Sequence, residues 1–138
     1  DRLKIARRLS QSGKALDILL EVNLSGETSK SGFMLDGWPD NKQQSEAFFQ
    51  DVAAISALEG LTIRGLMTIA PLVDDPEQAR PLFKRMRLLK DDLDQRYPTV
   101  EWRHLSMGMS GDFDVAIEEG ATIVRIGTAL FGERPVVA

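Results

Sequence analysis

The sequence predicts an α/β fold in which about four parallel strands alternate with helices. Two observations predict it. Short apolar runs recur at 15–23, 61–69, 102–107 and 121–126, nearly continuous in apolar character, as strands buried on both faces of a parallel sheet are. Between them lie segments with apolar residues at helical spacing, so each step reads as a βαβ unit with a right-handed crossover.

Taken in order, residues 1–13 place Leu3, Ile5, Ala6 and Leu9 on one helical face, and Gly13 ends the run. ALDILLEVN (15–23) is the first strand. The loop LSGETSK (24–30) follows, then a polar connection through Trp38 and Pro39. The second helix, 43–58, aligns Ala47, Phe48, Val52, Ile55 and Leu58. LTIRGLMTI (61–69) is the second strand, closed by Ala70 and Pro71. A third helix spans about 76–97. Proline is tolerated only in the first helical turn, so Pro81 marks either an early kink or a later start. The third strand, 102–107, leads to a helix at 111–119 with Ser110 as its expected N-cap and Asp112 and Asp114 suiting its dipole. Gly120 stops that helix, 121–126 is the fourth strand, and Thr128 opens a last helix cut off near Gly132. Such a chain reads as one domain, 1–138, with too few βα units to close a (β/α)8 barrel of about 250 residues.

Composition narrows the function. At 43% hydrophobic and 28% charged, the 138 residues suit a globular domain with a core. A net charge of −4 argues against nucleic-acid binding. No apolar run of about twenty residues predicts a membrane span. With no cysteine and one histidine, no thiolate, disulfide or zinc chemistry is expected, nor any other metal site. The cytoplasm is the expected compartment. The chain starts at Asp1, and DRLKIARRL reads as the inside of a helix, so a fragment or a processed chain is expected.

The stretch from His104 to Gly132 concentrates the chemistry. Two successive strand ends there deliver small residues and backbone N–H groups to helix starts, an arrangement that binds anions. The loops after the last two strands of a (β/α)8 barrel commonly hold phosphate this way. A phosphate-bearing ligand is the expectation. Alternation in TIVRI sends Arg125 to the face opposite Val124 and Ile126, toward a barrel interior. An arginine there needs a ligand or a carboxylate, and Glu21 is the alternative partner. Gly127 permits close backbone approach, and Thr128 offers a hydroxyl and an N–H. In SMGMSGD, Ser106, Gly108 and Ser110 supply donors, while Met107 and Met109 read first as packing residues. Asn23 closes the first strand. Lys30 lies in the loop beyond it, as a solvated lysine or a ligand contact. Met67 lines a ring-shaped ligand or fills the core. His104 reads as structural, and Glu118 and Glu119 as a solvated helix face.

LLEVNLSGETSKSGF, IRGLMTIAP and LSMGMSGDFDVAIEEGATIVRIGTALFG together resemble the YggS/PROSC family of pyridoxal-phosphate-binding proteins. The resemblance covers essentially the whole chain. It implies the C-terminal half of a barrel like the N-terminal domain of alanine racemase, with pyridoxal 5′-phosphate (PLP) at the C-terminal face. By that resemblance Ser106, Gly108, Met109, Ser110, Gly127 and Thr128 surround the phosphate. Arg125 approaches the pyridine nitrogen and keeps it unprotonated. Asn23 and Met67 complete the expected cofactor-binding set, and no catalytic residue is expected. Family members carry about four further βα units ahead of this region, and the first holds the Schiff-base lysine. None of Lys4, Lys14, Lys30, Lys42, Lys84 or Lys90 matches it. Unpaired sheet edges would then favour self-association. The implied function is intracellular PLP homeostasis, carrying a reactive aldehyde without turnover. The alternatives are a PLP-dependent racemase-like enzyme with its catalytic residues outside this chain, and a half-barrel without a ligand.

Overall fold

The computed structural model describes residues 2–132, so Asp1, which the expected first helix includes, lies outside the described residues. Strand β1 (Leu16–Asn23) follows helix α1 (Leu3–Ser10) and leads to a two-residue strand β2 (Phe33–Met34) and helix α2 (Lys42–Ser56). Then come β3 (Leu61–Met67), α3 (Arg80–Arg96), β4 (His104–Met109), α4 (Phe113–Glu118), β5 (Ile123–Arg125) and α5 (Thr128–Phe131). The strands pair in the order β2-β1-β3-β4-β5, every pairing parallel. This is the expected α/β alternation, a partial barrel.

One strand is added to the four expected. β2 pairs Phe33 with Val22 and Met34 with Asn23, inside what reads in sequence as a polar connection. Two residues are too few to show a period of two. Pro81 marks a later helix start. A 3-10 turn over Pro76–Ala79, capped by the Asp75 carboxylate accepting the Glu77 N–H at 3.0 Å, precedes α3 and leaves Pro81 in its first turn.

Register sorts the sheet into two faces. Leu20, Leu66 and Leu105 align across β1, β3 and β4 and are all buried. They share the core with Val52 and Ile55 of α2 and with Phe83, Met86, Leu89 and Leu93, the apolar stripe of α3. Each such side chain fully buried contributes about 1.5–3 kcal/mol, which holds the helices on this face. The next row, Glu21, Met67, Ser106 and Ile123, therefore points away from the helices. Arg125, two residues beyond Ile123, belongs to that open face.

Candidate functional site

Arg125 ends the short β5, and its guanidinium is half-buried. One terminal nitrogen donates to the Ser106 hydroxyl at 2.7 Å and the other to the Thr68 carbonyl at 2.8 Å. Both acceptors are neutral. No carboxylate lies within ion-pair distance of Arg125 among the described residues. Glu21 acts on it only through the longer-range field, as does Asp112. Burial lowers the pKa of the guanidinium from its usual value, against the pull of those two carboxylates. The ion pair with Glu21 is thus not formed. A cation with spare N–H donors remains on the open face.

The two loops expected to act together do meet. The Ser110 hydroxyl oxygen accepts the N–H groups of Gly127 and Ala129, each at 3.2 Å. This joins the loop after β4 to the start of α5 and leaves the hydroxyl proton free to donate outward. Thr128, exposed at the first position of α5, has an N–H with no intrahelical partner.

Ser110 is not the N-cap of α4. Asp112 holds that position, and its carboxylate instead accepts the Met109 N–H at 2.7 Å, closing the turn between β4 and α4. The helices are also short within the described residues, α4 spanning 6 residues and α5 spanning 4. Individual N–H groups, rather than a developed helix dipole, are therefore the anion donors available.

The remaining expected residues fall into distinct surroundings. Ser106 is buried, with its hydroxyl committed to Arg125. Gly108 sits at φ +94, and a Cβ there would lie 2.7 Å from the Ala116 Cβ. The missing side chain thus lets α4 pack on β4. Met109 is exposed and lines a cleft of about 290 Å³ with Lys30, Ile69, Pro71 and Asp112. Met67 is half-buried on the open face, level with Ser106. Asn23 is buried at the end of β1 and spends its side-chain hydrogen bonds within its own loop rather than on Arg125, Ser110 or Thr128. Its amide donates to the Glu27 carbonyl at 2.9 Å, while its side-chain oxygen takes the N–H groups of Ser25 and Gly26 at 3.1 Å each. It folds the loop after β1. Lys30 pairs with Glu27 and donates to the Ile69 carbonyl at 3.3 Å, so it is not a freely solvated lysine. The hydrogen bond from Lys30 draws the Glu27 carboxyl below its usual pKa. Glu118 and Glu119 form ion pairs with Arg80, and Glu119 pairs also with Arg87.

Two contributors escape sequence reasoning. Thr68 supplies a carbonyl to Arg125. Arg85, half-buried on α3, donates to the carbonyls of Leu24, Leu35, Asp36 and Trp38 at 2.5–3.2 Å, gathering both ends of the loop after β1. A lone arginine on a helix carries no sign of backbone partners 47 to 61 residues away.

Among the described residues no group of three His, Asp or Glu side chains is placed to hold a metal, and no helix is long and apolar enough to cross a membrane. The donor set does fit PLP. A cationic N–H donor suits a pyridine nitrogen, and hydroxyl and amide donors suit a phosphate.

The family described as alanine racemase, N-terminal domain, matches residues 1–135. The chain is 45% identical over 131 residues to the pyridoxal phosphate homeostasis protein of Aquifex aeolicus, covering 95% of this chain and 53% of that one. It is also 45% identical over 138 residues to the protein of the same name from Vibrio cholerae, covering 97% of this chain and 53% of that one. The chain thus spans about half the length of the curated relatives it matches. PipY of Synechococcus elongatus PCC7942, in a structure with PLP bound, superposes with a TM-score of 0.79 at 32% identity, covering 96% of this chain and 58% of that one. An alanine racemase of Clostridium difficile at 20% identity, with a TM-score of 0.64, shares the fold. These relatives are the group that the LSMGMSGDFDVAIEEGATIVRIGTALFG motif resembles, and the chain belongs to the alanine racemase N-terminal domain family.

Proposed function

We propose that this chain binds PLP on the open face of its sheet and serves PLP homeostasis in the cytoplasm. The observation that carries the reading is the Arg125 guanidinium, held on that face by two neutral acceptors, so that its charge is left for a ligand. In this reading Arg125 donates to the pyridine nitrogen. The Ser110 hydroxyl and the Thr128 N–H and hydroxyl hold the phosphate, beside Gly127. Met67 and Met109 border the ring and the phosphate, Ser106 orients Arg125, and Gly108 and Asn23 shape the loops around them. When bound, PLP supplies an aldehyde and an electron-accepting ring. An arginine at the ring nitrogen keeps that nitrogen unprotonated and weakens the ring as an electron acceptor, which suits carriage over turnover. The names of the relatives, and the PLP in the PipY structure, support the same reading.

Self-association belongs to this proposal. Among the described residues β5 is the last strand of the sheet, and Leu130 and Phe131 after it are 71% and 87% exposed, a combination that favours pairing with a second copy. Light scattering on eluting protein tests this, and a stable monomer would contradict it.

Thermal unfolding with PLP, and with pyridoxal lacking the phosphate, tests the ligand assignment. A ligand that binds only the native state must raise Tm. PLP is expected to raise it in a saturable way and pyridoxal much less. Equal shifts would remove the phosphate site from the reading, and no shift would remove the ligand.

A further inference from the structure

Thr68 stands one residue past the end of β3 and is fully buried, at 0% exposure. Three of its groups bind three other strands. Its hydroxyl donates to the Val22 carbonyl of β1 at 2.7 Å, and its N–H donates to the Ser106 carbonyl of β4 at 3.0 Å. Its own carbonyl accepts from Arg125 of β5 at 2.8 Å.

The ladder between β1 and β3 ends at Glu21 and Met67. Past that point the side-chain hydroxyl, rather than a ladder bond, fixes Thr68 to β1. Without it, the peptide that presents the carbonyl to Arg125 loses one of its attachments. Arg125 has a long side chain whose rotamers are costly to restrict. It is restricted here by two acceptors on neighbouring chain segments, of which the Ser106 hydroxyl can rotate and the Thr68 carbonyl cannot.

We infer that Thr68 is a positioning residue, its hydroxyl fixing the carbonyl that aims the Arg125 guanidinium at the open face. The inference rests on the reading of Arg125 as the cation that meets the cofactor. A buried threonine that merely satisfies its own hydroxyl would stabilise the fold without acting through Arg125, and the two differ in a measurable way.

The test uses the 138-residue chain with Thr68→Val, Thr68→Ser, Arg125→Lys and the Thr68→Val/Arg125→Lys double variant. Calorimetry reads PLP affinity, and NMR reads whether the Arg125 Nη protons resolve as separate, slowly exchanging resonances. Thr68→Val is expected to weaken PLP binding by about 3- to 10-fold, the worth of one neutral hydrogen bond. Thr68→Ser should restore most of it. In the Arg125→Lys background Thr68→Val should cost nothing further, the mark of two residues acting as one. The Nη protons should resolve in the unmodified chain and average in Thr68→Val. An equal loss of affinity in both backgrounds, or Nη resonances unmoved by Thr68→Val, would overturn the inference. Should Thr68→Val fail to fold, averaged Nη resonances in the unmodified chain would overturn it alone. If no variant and not the parent chain takes PLP, the functional reading fails, while the Nη resonances still decide the role of Thr68.

Discussion

The Ser110 hydroxyl oxygen accepts the Gly127 N–H at 3.2 Å across 17 residues of sequence, and through that contact two strand-end loops become one surface. Ser110→Ala removes the shared acceptor of Gly127 and Ala129 and the outward-facing hydroxyl together. It is expected to weaken PLP binding by about tenfold while lowering Tm only slightly, since both amides are exposed to water. Unchanged PLP affinity would take Ser110 out of the phosphate site.

Gly65 follows the irregularity at Arg64, where the β1 register steps from Ile18 opposite Ile63 to Leu19 opposite Gly65. Its φ is +153, and a Cβ there would lie 2.0 Å from the His104 carbonyl oxygen. Backbone cannot yield as a side chain does. Gly65→Ala should therefore destabilise the fold by about 3 kcal/mol, read as a lowered midpoint in urea unfolding. A midpoint within error of the parent would mean that β3 and β4 do not approach so closely.

Arg80 gathers Glu77, Glu118 and Glu119 where α3 meets α4. Its hydrogen bonds hold the Glu77 and Glu119 carboxyls below the usual carboxylate range. A carboxyl with a depressed folded-state pKa stabilises above its unfolded value, and that stability is lost as pH falls through the folded value. The unfolding midpoint should thus decline on acidification through the carboxylate range, and less steeply in Arg80→Gln. Identical pH profiles would show the cluster to be neutral for folding.

Reduction with borohydride after incubation with PLP should leave no lysine labelled in stoichiometric yield. Lys30 is the side chain nearest to contradicting this, because it lines the cleft beside Met109. Its Nζ is engaged by Glu27 and by the Ile69 carbonyl, contacts that an aldimine at this position would have to break. Intact mass and peptide mapping decide it, and a single modified Lys30 would reverse the assignment.

Much of this architecture is readable from the chain alone, for identifiable reasons. The period of two along 122–126 aims Arg125 at the open face without knowledge of any partner, and the structure places it there. The α3 stripe of Leu82, Phe83, Met86, Leu89 and Leu93 is a local pattern, so its burial follows. Partners distant in sequence are another matter. The two acceptors that fix Thr68 and Arg125 lie 46 and 57 residues from their donors, and no spacing rule spans that. Ser110 and Asp112 compete for one cap position, and the choice turns on Gly127 and Ala129, which only the folded sheet brings within reach of Ser110. β2 is too short to leave a pattern.

Isothermal calorimetry of the chain and of Arg125→Ala with PLP reads whether Arg125 presents its charge to the cofactor. Saturable binding at one PLP per chain is expected, weakened at least about tenfold in the variant, as loss of a charged hydrogen bond requires. Binding of equal strength in both proteins, or none in the parent, would contradict it.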